Sequence, residues 1–153
     1  MSSLELKVPP PALALLLALF MWLVSSFVAP LEVPFRWRVG ATLALALVGL
    51  GFSVAGVAAF RRARTTINPT KPATASALVS GGVYRLTRNP MYLGLSLLLL
   101  ALAVLPSNPV ALLLVPVFVL YINRFQITPE ECALSSLFGG EYAAYKERVR
   151  RWL

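Results

Sequence analysis

Four charge-free apolar runs set the pattern of the chain. Pro11 to Ala29 is rich in Leu, Ala, Phe and Val, and Gly40 to Phe60 is rich in Ala and Gly. Met91 to Leu105 and Pro109 to Ile122 are shorter. A helix that crosses a bilayer takes about 20 such residues. The pattern therefore predicts an all-α integral membrane protein, one domain over 1–153, with four transmembrane helices at about 11–29, 40–60, 91–105 and 109–122. The four residues Pro106-Ser-Asn-Pro109 predict a tight helical hairpin between the last two. Gly40, Gly49, Gly51 and Gly56 suit close helix packing in the second. Lys7 alone precedes the first run, which is long for a signal peptide, so it reads as a retained helix.

Two polar segments remain, 61–90 and 123–153. In the first, Gly81-Gly82 predicts a turn with positive φ. Asn89-Pro90 is a helix-start signal, with Asn at the N-cap and Pro at the first helical position. The second holds Thr128-Pro129-Glu130-Glu131, which has the form of a capping box. Leu134, Leu137 and Phe138 follow as an apolar face, and Gly139-Gly140 should end that helix. Tyr142, Tyr145, Val149 and Trp152 recur on one face of a further amphipathic helix, suited to a membrane surface or to packing on the spans.

Composition sharpens this picture. Of 153 residues, 58% are apolar and 13% charged, against about 25% charged in soluble domains. Mean hydropathy is +0.76. Such a chain is neither an ordinary soluble enzyme nor disordered. The net charge of +8 would suggest nucleic acid in a soluble protein; here it marks loops facing an anionic leaflet, and no nucleic-acid partner is expected. Eleven of the fourteen basic residues lie in the polar segments and Lys7 precedes the first run, twelve on one side, and only Arg36 and Arg38 lie opposite. The positive-inside rule then puts both termini in the cytoplasm, most simply at a bacterial inner membrane.

The chain has no histidine and one cysteine. That excludes a Ser-His-Asp triad, a Cys-His pair, a histidine metal site and an intrachain disulfide; no metal is expected. Cys132 reads as a small buried side chain. No ionisable residue lies within a span, as transporters usually require, so chemistry is expected at the cytoplasmic interface. From spacing alone, Asn89 is either a simple cap or part of an anion site at a helix N-terminus. Tyr84 and Tyr92 are either interfacial belt residues or ligand contacts, and Arg85 and Arg88 either topological anchors or ligand contacts. Such groups can bind and orient a zwitterion, and a reaction needing only apposition would fit.

The ordered set Leu78-Val-Ser-Gly-Gly-Val-Tyr84, Arg88-Asn-Pro-Met-Tyr-Leu-Gly94, then Glu130-Glu131, Leu134, Phe138-Gly139, Tyr142, Tyr145, Val149 and Arg151-Trp152 resembles the signature of the isoprenylcysteine carboxyl methyltransferase and phospholipid methyltransferase superfamily. Thr65-Thr66-Ile67-Asn68-Pro69 resembles its bacterial members. The resemblance covers about residues 60–153. It implies a membrane-embedded methyltransferase using S-adenosylmethionine, with a lipid or lipid-soluble acceptor. By position, Tyr84, Asn89, Pro90, Tyr92, Glu130, Glu131, Tyr142 and Tyr145 would bind the cofactor, and Arg88, Asn89 and Glu130 would carry catalysis. One of the two glutamates would face the cofactor's ammonium. The chain departs from the carboxyl methyltransferases at Asn89, where they carry His: Asn hydrogen-bonds but does not titrate. It is also shorter than the eukaryotic carboxyl enzymes. A non-catalytic membrane scaffold, a methyltransferase fold that has lost its activity, and a small four-span transporter are the readings from other classes.

Overall fold

A computed structural model describes residues 5–65 and 72–153; the Thr66-to-Pro69 part of the upstream motif, Lys71 and the first four residues lie outside them. Among the described residues the regular structure is helical. The α-helices are α1 (Pro10–Ser25), α2 (Phe35–Ala63), α3 (Pro90–Val104), α4 (Pro109–Ile122) and α5 (Thr128–Arg148). Two 3-10 turns, Pro72–Thr74 and Gly82–Arg85, lie between α2 and α3. A π-turn, Asn123–Ile127, joins α4 to α5 without a break.

Proline starts α1, α3 and α4, where its missing N–H costs nothing. Among the described residues, the two helical runs long and apolar enough to cross a membrane are Phe35–Ala63 and Pro109–Arg148; α1 and α3 are apolar but shorter. Helix α1 is therefore shorter than the expected 11–29. Helix α2 is longer than 40–60, because Arg36, Arg38, Arg61 and Arg62 continue the helix beyond the apolar run.

Helix α3 lies against α2 at small-residue contacts. A Cβ added at Gly94 would press on the Ser53 hydroxyl and the Gly49 carbonyl. One added at Gly49 would come 2.8 Å from the Gly94 carbonyl, and one at Gly56 2.7 Å from Met91 Cγ. Glycine is thus required by close approach at Gly49, Gly56 and Gly94, whereas Gly40 and Gly51 face open space. On the other side of α3, Leu99 and Ala103 pack with Ala14 and Met21 of α1 and Ala111, Phe118 and Ile122 of α4. Outward-facing apolar side chains, among them Leu15, Trp22, Leu47 and Leu113, are each more than 60% exposed. So broad an apolar exterior suits lipid rather than water.

The α3–α4 hairpin is as tight as its breakers predict. Asn108 caps α4: its Oδ1 accepts from the N–H groups of Val110 (3.0 Å) and Ala111 (3.1 Å), and its Nδ2 donates to Val28 O.

The second polar segment differs from expectation at several points. No capping box forms at Thr128. Because the π-turn carries the helix straight through, there is no free helix start to cap, and the Thr128 hydroxyl instead donates to Asn123 O (2.8 Å). Glycine ends the first half of α5 as anticipated: Gly139 sits at φ 48°, ψ −119°, a conformation closed to residues with a Cβ, and kinks the helix there. The helix stops at Arg148, and Val149 is extended (φ −128°, ψ 130°), so Trp152 lies on a terminal strap rather than on the helix. Cys132 is exposed, not buried, because α5 turns Glu131 inward and its neighbour outward.

Candidate functional site

The polar segments meet at one end of the helices and enclose a cavity with about 840 Å³ of empty space, open mouth included. Phe60 of α2, Ala77, Leu78 and Val79 of the loop, Met91 of α3, Ile127 and Leu134 form its apolar wall. Its polar lining comprises Tyr84, Arg88, Asn89, Tyr92, Glu130, Glu131, Tyr142 and Tyr145. The structure thus brings together eight of the nine residues singled out from the sequence. Pro90 is the exception: it is buried at the first position of α3, on the side toward Gly56 of α2.

Each side chain is placed by local structure. Gly82, at φ 61°, opens the 3-10 turn that carries Tyr84 inward, against the edge of the Phe60 ring (5.6 Å). The kink at Gly139 folds the end of α5 back, so that the Tyr145 hydroxyl donates to Tyr84 O (2.7 Å). Tyr84, Tyr142, Tyr145 and Val149 form a small core of their own over Leu78, Val79, Leu134 and Phe138.

The two glutamates are held differently. Glu131 is saturated by cations: Arg151 Nη2 donates to Oε2 (2.6 Å) and Arg151 Nε to Oε1 (3.1 Å), while Arg88 Nη2 lies 3.0 Å from Oε1. The hydrogen bonds to Glu131 raise the Arg151 pKa. Glu130 has no cationic partner among the described residues. The Tyr92 hydroxyl (2.5 Å) and Gln126 Nε2 (2.6 Å) both donate to its Oε1, which leaves Oε2 for a ligand. Burial pushes the Glu130 carboxyl up to about 7, the nearby Glu131 charge adds to this, and the Gln126 and Tyr92 hydrogen bonds hold it lower than burial alone would. Burial also pushes Tyr142 up to about 12 and raises Tyr84 and Tyr145, so these phenols are neutral donors at pH 7.

Asn89 occupies the N-cap position of α3 yet makes no side-chain cap. Its Nδ2 donates to Arg151 O (2.9 Å), the buried Thr87 hydroxyl donates to the same oxygen (3.1 Å), and Arg88 N donates to Arg150 O (3.0 Å). Trp152 Nε1 donates to Asn123 Oδ1 (3.1 Å). The terminal strap is thereby tied to both polar segments. Arg88 Nε is buried without a partner. Sequence reading passed over Gln126, Thr87, Phe60 and the charge-pairing role of Arg151. A glutamine at the edge of an apolar run was the available signal for the first.

The arrangement offers a Glu130 carboxylate oxygen that accepts no bond from a described residue, beside an Arg88 guanidinium paired with Glu131, inside a wall of phenols and aliphatic groups. That set complements an amino-acid end group attached to a larger aromatic or apolar body.

A family model described as phospholipid methyltransferase matches residues 37–141. Protein-S-isoprenylcysteine O-methyltransferase A of Arabidopsis thaliana is 30% identical over 138 residues, 90% of this chain and 70% of that protein. An uncharacterized protein of Haemophilus influenzae is 54% identical over 63 residues, 41% of this chain and 100% of that protein. No solved structure matches.

Proposed function

Because the chain belongs to the phospholipid methyltransferase family, we propose that it transfers a methyl group from S-adenosylmethionine to a lipid-soluble acceptor at the cytoplasmic face of a membrane. The observation that carries this reading is a cavity lined by the Arg88 guanidinium and by the Glu130 carboxylate, whose Oε2 accepts no bond from a described residue. The methionine end of the cofactor presents the complementary ammonium and carboxylate. Glu130 would take the first and Arg88 the second. Tyr84, Tyr142 and Tyr145 would wall in the remainder, and Phe60, Leu78, Met91 and Leu134 give it apolar surface.

When bound, the cofactor supplies an electrophilic methyl group on a sulfonium. What the chain contributes is apposition: binding, orientation and exclusion of water, which together can lower a bimolecular barrier by several kcal/mol. Asn89 serves by holding the strap that carries Arg151. The acceptor classes compatible with this site are an isoprenylcysteine-type carboxylate, a phospholipid amine and a thiol.

We read α1 and α3 as spans alongside α2 and α4, with both termini and the cavity on the cytoplasmic side of a bacterial inner membrane. The apolar exterior and the one-sided placement of basic residues support this. A reporter fused after Leu153 should score as cytoplasmic; periplasmic activity would overturn the orientation. The enzymatic reading is tested by titrating purified protein with S-adenosylmethionine, then supplying labelled cofactor and native lipid extract. Saturable binding and a labelled lipid product are expected. Absence of binding by the wild-type protein would sink the reading.

A further inference from the structure

Gln126 is a deeply buried polar side chain beside the cavity, 2% exposed. It belongs to no expected motif. It sits in the π-turn, where helical pitch widens to accommodate one extra residue and where functional sites recur. The turn brings Gln126 one helical step before Glu130, on the same side as Ile127, Glu130 and Leu134. Several contacts fix this turn: Thr128 Oγ1 to Asn123 O, Trp152 Nε1 to Asn123 Oδ1, Leu6 N to Phe125 O, and the Arg124–Glu5 pair at 3.3 Å. Such anchoring exceeds what a helix continuation requires.

We propose that Gln126 is a positioning residue for the site: its carboxamide, with the Tyr92 hydroxyl, pins Oε1 of Glu130 and so presents Oε2 to the cationic end of the cofactor. The inference rests on the proposed cofactor reading and adds to it the residue that sets the reactive state of its anionic contact. A donor 2.6 Å from a buried carboxylate favours its ionised form. The other titratable and charged groups around Glu130 are Tyr92 from α3, Tyr84 from the 3-10 turn, and Glu131 and Tyr142 from α5. Arg88, through one nitrogen, and Arg151 pair with Glu131.

The test is the pH profile of S-adenosylmethionine binding to full-length protein in detergent, for wild type, Gln126→Met and Gln126→Glu. Wild-type affinity should fall as pH drops through about 7. In Gln126→Met the midpoint should move up by about one pH unit, with roughly fivefold weaker binding at pH 7 and recovery at pH 8.5. Gln126→Glu keeps the shape and adds a second acid, so its midpoint should move further up. Uniform weakening at every pH, or an unmoved midpoint, overturns the proposal. An infrared titration of the cofactor-free protein reads the same carboxyl directly, the Glu130 band being the one lost in Glu130→Gln. If that band shifts in Gln126→Met while wild type binds no cofactor, the cofactor reading fails and the positioning role stands. If it does not shift, the positioning role fails whatever the cofactor does.

Discussion

Helices α3 and α4 both begin with Asn-Pro, and the two asparagines do opposite things. At the turn between the helices, Asn108 caps α4 with two hydrogen bonds and reaches Val28 with its amide. At the cavity, Asn89 leaves the first turn of α3 uncapped and gives its amide to Arg151 O, twenty residues beyond Glu131 in sequence. The same dipeptide thus closes a helix locally in one place and ties down a remote strap in the other. The contrast shows where local stability has been given up: at the end that holds the cavity, the start of α3 is open to Arg88, Asn89 and Met91.

Four measurements press on this contrast. The largest effect is expected for Glu131→Gln, which leaves two guanidiniums without their carboxylate. Thermal unfolding should register a loss of about 2 kcal/mol, and cofactor affinity should fall with it as the strap loosens. Next comes Asn108→Ala, with a loss of about 1–2 kcal/mol from the missing cap and unchanged cofactor affinity; a change in affinity would join the two ends functionally and dissolve the distinction. Asn89→Asp is smaller but more discriminating. Asp caps helices as well as Asn, so a capping role predicts no loss. A strap-holding role predicts destabilisation of about 1 kcal/mol, since the carboxylate would face the Arg151 carbonyl it once donated to. The fourth measurement is of pH dependence. The folded-state pKa of Glu130, about 7, exceeds its ordinary 4.5. Its contribution to stability is therefore complete below about 4.5 and lost as pH rises through about 7. The cofactor-free protein should melt lower at pH 8 than at pH 5.5 by a margin that Glu130→Gln removes.

The helices were legible in the sequence because uninterrupted apolar runs bounded by proline have few other solutions. The hairpin, the break at Gly139 and the gathering of the motif tyrosines and acids at one cavity were legible for similar reasons: turn chemistry and ordered motifs are local signals. What escaped was set by tertiary contact. Thr128 and Glu131 satisfy the capping-box spacing, yet the π-turn removes the free helix end and Arg151 claims the carboxylate. Asn89 looks like a cap, and only the returning strap reveals its partner. Nothing in the spacing distinguishes Glu130 from Glu131; their difference lies in which receives cations and which receives neutral donors.

The uninterrupted rod from α4 through the π-turn into α5 has a consequence for how this region tolerates insertions and deletions. A loop absorbs a lost residue by tightening. A continuous helix converts it into rotation, about 100° per residue. One residue removed from α4 would swing Glu130, Glu131 and Leu134 together away from the cavity, while leaving composition and hydropathy almost unchanged. The wide turn at Asn123–Ile127, which already holds one residue more than ordinary pitch, is the place in the rod where such a loss is absorbed.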